Sequence, residues 1–261
     1  MKINGNQKKI IIELSNHYDD EFFLDQINGS YESAKIYLDI LYGVLDPESV
    51  ADFGCGRGAW LKAFKERGAK SVVGFDGPWN SHDKMLDSAI EFHTVDLNKA
   101  IELKANKSFD LSMSLEVAEH LQVESSKTFI ESLTRASDVV MFGSAYTDQG
   151  GTNHINEQPH SYWAEIFRQY NYVVFDLFRP KLWGDKRIEF WYQQNTFLYV
   201  LKDSKKYDTI IEKGYKTLDN LLFLDCIHPQ LYKRYIERPK SKVQLLKLFA
   251  SSLLGSMGYK N

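Results

Sequence analysis

Glu116, Glu119 and His120 stand at i, i+3 and i+4, directly after the apolar run Leu111-Ser112-Met113-Ser114-Leu115. If the chain turns helical after Glu116, all three side chains fall on one face. Two carboxylates and an imidazole facing a crevice form the donor set of a divalent-metal site. The same spacing also suits a polar helix face in water, with Glu116 lining a pocket and His120 as a hydrogen-bonded structural histidine. A second polar cluster runs Gly150-Gly151-Thr152-Asn153-His154-Ile155-Asn156-Glu157-Gln158-Pro159-His160, ahead of a helical pattern that begins near Ser161. Two glycines before so many polar residues suit a loop shaped to approach a substrate. His154 is a candidate metal ligand or general base toward a hydroxyl. With His120 and Glu119 it makes up the candidate catalytic set, and Asn156, Glu157 and Gln158 are candidates for binding the acceptor. The plainer alternative is a loop that only caps the next helix.

These groups need a frame, and the stretch that organises it is Val50-Ala51-Asp52-Phe53-Gly54-Cys55-Gly56-Arg57-Gly58-Ala59-Trp60. Its pattern reads as strand, tight turn and helix. Glycines allow the sharp turn and a close approach to a ligand, and the helix N-terminus offers unpaired N–H groups to it. A nucleotide-like cofactor suits such a turn. Ser71-Val72-Val73-Gly74-Phe75-Asp76-Gly77 then ends a second strand in an acid about 20 residues past the glycines, where a carboxylate can take both ribose hydroxyls. Further strands read at 90–98, 109–115, 137–144, 172–178 and 196–201. The last two are joined by a loop whose Trp183, Trp191 and Tyr192 suit stacking on a sugar face. Ser30 to Leu41 reads as a helix that Pro47 closes off. Gly54, Gly56 and Ala59 also satisfy the dinucleotide pattern, so neither the glycines nor Asp76 chooses between cofactors.

Asp52 ahead of the glycines completes D-x-G-x-G-x-G, which resembles motif I of class I S-adenosylmethionine (SAM) methyltransferases. The resemblance implies an α/β, Rossmann-like fold: a mostly parallel seven-stranded sheet with an antiparallel edge hairpin, and helical additions at both ends. It implies a helical cap over 1–46, the SAM-binding methyltransferase domain over 47–202 and a helical extension over 203–261. Asp52, Gly54, Gly56, Gly58, Asp76, Gly77, Asp96, Leu97 and Ser114 would then hold SAM, with Asp52 serving its amino-acid end and Asp96 its adenine amine. The stretch Phe22-Phe23 with Ser30, Ser33 and Ala34, together with Gly150-Gly151-x-x-His154-x-Asn156-Glu157-Gln158, resembles bacterial surface-polysaccharide methyltransferases. In that group the early segment folds over the cofactor, which adds Tyr18, Ser30 and Ser33 as cofactor candidates. The spacing E-x-x-E-H is similar to that of metal-dependent O-methyltransferases of the ubiquinone-biosynthesis type and of small-RNA 2′-O-methyltransferases. Carried over residue by residue, it places Mg²⁺ or Mn²⁺ on Glu116, Glu119, His120 and His154. Trp191 and Tyr192 join the acceptor candidates.

A chain of 261 residues with 43% hydrophobic residues can build one α/β domain with additions. Its net charge of −3 argues against a general nucleic-acid binder. The two cysteines, Cys55 and Cys226, fit no zinc spacing and read as free thiols of a reducing cytoplasm. No apolar leader or bilayer-spanning run is expected. Lys233, Arg234, Arg238, Lys240 and Lys242 precede an amphipathic stretch at 243–254, which suits an anionic membrane face, the core, or a second copy of the chain in a homodimer. The expected activity is SAM-dependent O-methylation of a hydroxyl on a sugar, a nucleotide-linked sugar or a capsule or lipopolysaccharide intermediate, assisted by a divalent metal. Three readings compete with it: a metal-independent enzyme with a histidine base, a NAD-dependent oxidoreductase, and a non-catalytic SAM-binding subunit.

Overall fold

The computed structural model describes residues 20–103 and 105–237. Tyr18 and the amphipathic stretch at 243–254 lie outside them. Among the described residues, those up to Cys226 belong to one compact unit, and a second unit begins at Ile227.

The first unit opens with helix α1 (Asp20–Tyr42). Strand β1 (Ser49–Phe53) leads through the glycine turn into α2 (Ala59–Arg67). Then come β2 (Ser71–Asp76), β3 (Glu91–Thr94), β4 (Leu111–Leu115), α3 (Ser126–Ala136) and β5 (Val139–Gly143). Next are α4 (His160–Gln169), β6 (Tyr172–Phe175), the short helices α5 (Arg179–Leu182) and α6 (Phe190–Asn195), β7 (Phe197–Leu201) and α7 (Lys205–Glu212). The sheet has seven strands in the order β3-β2-β1-β4-β5-β7-β6. β7 runs antiparallel to both β5 and β6, and the other pairings are parallel.

Both faces of the sheet are covered, so the residues of its central strands β4 and β5 are buried on either side. One layer packs Tyr37, Leu38 and Leu41 of α1 with Trp60, Leu61 and Phe64 of α2 against Val50, Val72, Leu111 and Met113. The other packs Phe129, Ile130, Leu133 and Ala136 of α3 and Trp163 and Phe167 of α4 against Ala51, Phe53, Val140 and Phe142. The spacing of the α3 set is that of one helix face. The chain reverses direction across the sheet between β1 and β4, and the crevice at such a switch point lies beyond the carboxyl ends of the strands. Gly54, Asp76, Glu116 and Ser144 all follow directly on, or end, those strands.

Helix α1 packs against α2, and Ile210 of α7 lies in the same core. Within the expected helical extension, α7 stops at Glu212, because Gly214 turns left-handed (φ 86°), and only a 3-10 turn forms at Leu221–Leu224. In the second unit lies helix α8 (Pro229–Glu237), whose first residue is a proline, as helix starts tolerate. No helix among the described residues is long and apolar enough to cross a membrane.

Candidate active site

Two cavities open at the carboxyl ends of the strands. The larger, about 470 Å³, is walled by Gly54, Asp76, Trp79, Asp96, Leu97, Glu116 and His120, among others. The smaller, about 110 Å³, is walled by Ser30, Asp52, Gly54, Arg57, Trp60, Glu116 and Tyr192, among others. The glycine turn separates them. Gly54 sits at φ 90°, and a Cβ there would run into the Val117 side chain, so the position demands glycine. A Cβ at Gly56 would meet open space, which leaves the backbone accessible to a ligand.

The sequence candidates for the cofactor divide between these cavities. Asp76 accepts hydrogen bonds from Gly56 N at 2.7 Å and Gly77 N at 2.6 Å and is buried at the edge of the larger cavity. Burial raises its carboxyl, and those two donors oppose the shift. Asp96 pairs with Lys99 at 2.8 Å, which holds its carboxyl low. Asp52 is buried in the wall of the smaller cavity, and burial with the Asp76 charge pushes it up to about 8. Ser30 Oγ and the Tyr192 hydroxyl lie 2.9 Å apart there. Tyr192, an acceptor candidate from the sequence, is therefore on the side of Asp52. Ser33 is buried with its hydroxyl unpartnered. Ser114 does not line either cavity: it donates to Phe53 O at 2.7 Å and straps β4 to β1.

The E-x-x-E-H segment does not form the helical face expected of it. Glu116 adopts φ 57°, Val117 lies outside the helical region (φ −130°, ψ −45°), and only Ala118–His120 make a 3-10 turn. The bend follows from the frame, because Glu116 N donates to Gly143 O at 2.9 Å and carries the β4–β5 ladder one residue further. Glu116 thereby takes partners of its own, outside the group formed by Glu119, His120 and His154. Its Oε1 accepts from Asn195 Nδ2 at 2.8 Å and its Oε2 from Gln149 Nε2 at 3.0 Å. Burial raises its carboxyl to about 7 against the pull of those amides. Asn195 is in turn seated by His160, whose Nε2 lies 3.0 Å from its Oδ1 and whose Nδ1 lies 3.0 Å from Leu224 O.

Glu119, His120 and His154 do converge. Each offers a ligand atom, and these atoms all lie within 4.8 Å of one another. Glu119 is fully buried, and its Oε2 accepts from Ser144 Oγ at 3.0 Å while its Oε1 has no partner. Burial and the nearby Glu116 charge raise its carboxyl well above the ordinary range. His120 Nδ1 is also buried without a partner, and burial lowers this imidazole to about 4, so it is neutral at pH 7. His154 Nδ1 is 2.7 Å from Glu157 Oε1, which orients the ring. Gly151 makes room for it: a Cβ there would collide with the His154 imidazole. Two orphaned buried polar atoms and a carboxylate-oriented histidine fit a small divalent cation, which would satisfy both atoms at once.

The polar loop braces this triad. Ile155 N and Asn156 N both donate to Glu119 O at 2.9 Å. Asn156 is buried and donates to Ala118 O and Ser126 Oγ, and Gln158 donates to Asn156. Glu157 also accepts from Gly150 N at 2.7 Å. Thus Asn156, Glu157 and Gln158, candidates for the acceptor, spend these contacts within the loop and on Ala118 and Ser126 beside the triad. Trp191 is half-buried against the α1–α2 layer. Sequence reasoning missed Gln149, Asn195, His160, Ser144 and Trp60. A signal existed for one of them: Gln193-Gln194-Asn195 is a run of three amides between aromatics and a strand, and all three are buried.

The glycine turn, the acids at the ends of β1 and β2 and the antiparallel final strands define an α/β enzyme of the nucleotide-cofactor type. Residues 50–138 match the family model described as "Methyltransferase domain". Residues 50–138 thus form a methyltransferase domain, and the seven-stranded sheet that contains it has the Rossmann-like fold of such domains. No curated protein matches it. Similar solved structures include the methyltransferase domain of bacterial CtHen1-C (15% identity, TM-score 0.49, 66% of this chain and 98% of that one). Another is the Burkholderia thailandensis 1,6-didemethyltoxoflavin-N1-methyltransferase with bound 1,6-didemethyltoxoflavin and S-adenosylhomocysteine (17% identity, TM-score 0.49, 77% and 90%). A third is human N-acetylserotonin methyltransferase in complex with SAM (15% identity, TM-score 0.46, 66% and 51%).

Proposed function

We propose that this enzyme methylates a hydroxyl oxygen of a sugar, a nucleotide-linked sugar or a surface-glycan intermediate, with help from a divalent cation held by Glu119, His120 and His154. The observation that carries the metal half is the convergence of Glu119, His120 and His154, with Glu119 Oε1 and His120 Nδ1 buried and unpartnered. His120 lines the larger cavity, so the triad adjoins the space assigned to the donor. The sugar half rests on the sequence likeness of the polar loop to surface-polysaccharide methyltransferases.

In this reading the larger cavity takes the nucleoside of SAM and the smaller one its amino-acid end. Asp76 and Asp96 face the ribose and adenine, and Asp52, Ser30 and Tyr192 face the amino acid. SAM supplies the methyl group, and a divalent cation supplies Lewis acidity that brings a hydroxyl toward ionisation near neutral pH. Glu119 and His120 hold their positions because Ser144 and the Ile155–Asn156 backbone fix Glu119. Glu157 fixes the His154 ring, leaving Nε2 to serve as ligand or to take the hydroxyl proton. The acceptor O–H bond breaks, an O–CH₃ bond forms, and the CH₃–S bond breaks with its electron pair left on sulfur. Alignment of the three atoms is the protein's largest contribution to the rate.

The test is transfer of radiolabelled methyl from SAM to a panel of nucleotide sugars and capsule or lipopolysaccharide intermediates. It is run with Mg²⁺, with Mn²⁺ and with EDTA, on the wild type and His120→Ala. Labelled product that disappears with EDTA and in the variant is the expected result. Transfer that survives both would remove the metal and shift the chemistry to a histidine base at His154.

A further inference from the structure

We propose that Glu116 recognises the positive charge of the methyl donor, so that this one carboxylate makes the enzyme prefer SAM over the neutral product S-adenosylhomocysteine. The proposal rests on the two-cavity reading of cofactor binding given above and gives Glu116 a role apart from the metal triad.

The placement comes first. Gly54 and Glu116 are walls of both cavities. A ligand with its nucleoside in one and its amino acid in the other must pass between these two residues, and in SAM the atom that joins the halves is the sulfonium sulfur. Gly54 contributes no side chain there. Glu116 contributes a carboxylate, fixed by Asn195 at one oxygen and Gln149 at the other.

The second observation is the effort the fold makes to hold that carboxylate. A non-glycine residue at φ 57° is strained, and such strain persists only where the surroundings over-determine it. Here the determinants are the extended β4–β5 ladder and an amide chain that runs from Leu224 O through His160 and Asn195. Both Glu116 oxygens are used by amide N–H donors, and the side chain lies outside the Glu119–His120–His154 group. An ionised carboxylate held beside the linker of a cationic ligand is complementary to that cation, and the ligand's charge in turn favours the ionised form. Methyl transfer turns the sulfonium into a neutral thioether, so the attraction vanishes on turnover and product release is favoured.

The experiment is calorimetric titration of the intact chain with SAM, S-adenosylhomocysteine and sinefungin, whose amine puts a cation near the position of the sulfonium. Two charges a few ångströms apart in a protein-like dielectric interact strongly enough to change affinity by one or more powers of ten. Glu116→Gln should therefore weaken SAM and sinefungin by about 10- to 100-fold and leave S-adenosylhomocysteine within about 3-fold. Asn195→Ser, which keeps the carboxylate but removes one of its two clamps, should narrow the SAM preference in the same direction. Equal weakening of all three ligands, or an unchanged SAM to S-adenosylhomocysteine ratio in both variants, overturns the proposal. Wild-type protein that binds none of the three would overturn the cofactor reading itself, and the proposal with it.

Discussion

Replacing Glu119 by Gln should make the metal-free protein more stable and insensitive to metal. Glu119 is fully buried, has one unpartnered oxygen and lies near the Glu116 charge. A buried polar group left unsatisfied costs about 1–3 kcal/mol, more when charged. Burial holds the Glu119 carboxyl well above its ordinary range, so folding near pH 7 costs the uptake of a proton, which the amide of the same shape avoids; a gain of about 1–3 kcal/mol is expected in EDTA. For a unit of this size each kcal/mol moves the unfolding midpoint by roughly 2–4 °C, which predicts a rise of about 2–12 °C. The wild type should respond in the opposite manner to metal. At a concentration about 100 times Kd, a ligand specific to the folded state stabilises by about 2.7 kcal/mol, or roughly 5–11 °C. The variant has lost a carboxylate ligand and should show little of that increase. Thermal unfolding with and without Mn²⁺ reads both effects. A wild type unmoved by Mg²⁺ and Mn²⁺, or a variant shifted by metal as much as the wild type, would refute the assignment of these three side chains to a cation.

Two further outcomes follow from the same site. The Asp52 carboxyl is raised to about 8 in the folded chain against an ordinary value near 4, so the native state holds this proton more tightly than the unfolded state. Stability should fall as pH rises from about 4 to about 8, the slope should flatten in Asp52→Asn, and SAM binding near pH 7 should release a proton as the ligand ammonium favours the carboxylate. Midpoint-versus-pH curves and calorimetry in buffers of different ionisation enthalpy check this. Gly151→Ala should push His154 off its position and lower metal affinity by about 10- to 100-fold, as loss of an outer support does. The unfolding midpoint should stay within a few degrees, and a metal titration unaffected by the alanine would show that His154 is not a ligand.

The frame was legible because its signals are local. The apolar runs of the strands, the Gly54-Cys55-Gly56-Arg57-Gly58 turn and the acids at 52 and 76 are each short stretches whose torsions and burial follow from residue type. The antiparallel arrangement of β6 and β7 agrees with the expected edge hairpin. No single segment announces that α1 and Ile210 join one core.

The site itself was legible only in part. Glu119, His120 and His154 were identifiable as donor types, and the loop at 150–158 as their neighbour. What the sequence alone could not decide is the torsion at Glu116. A helix would have put it beside Glu119, but the ladder bond to Gly143 O carries the strand on and turns the residue left-handed. Nor does any local pattern say that Asn195, 79 residues away, supplies the amide that clamps it. Sequence determined which chemical groups this protein has and the strand ends near which they emerge, because backbone propensity and hydrophobic pattern act over a few residues. Tertiary structure decided which carboxylate stands with the histidines and which stands at the junction of the two cavities, because hydrogen bonds between distant strands, loops and helices fix those directions.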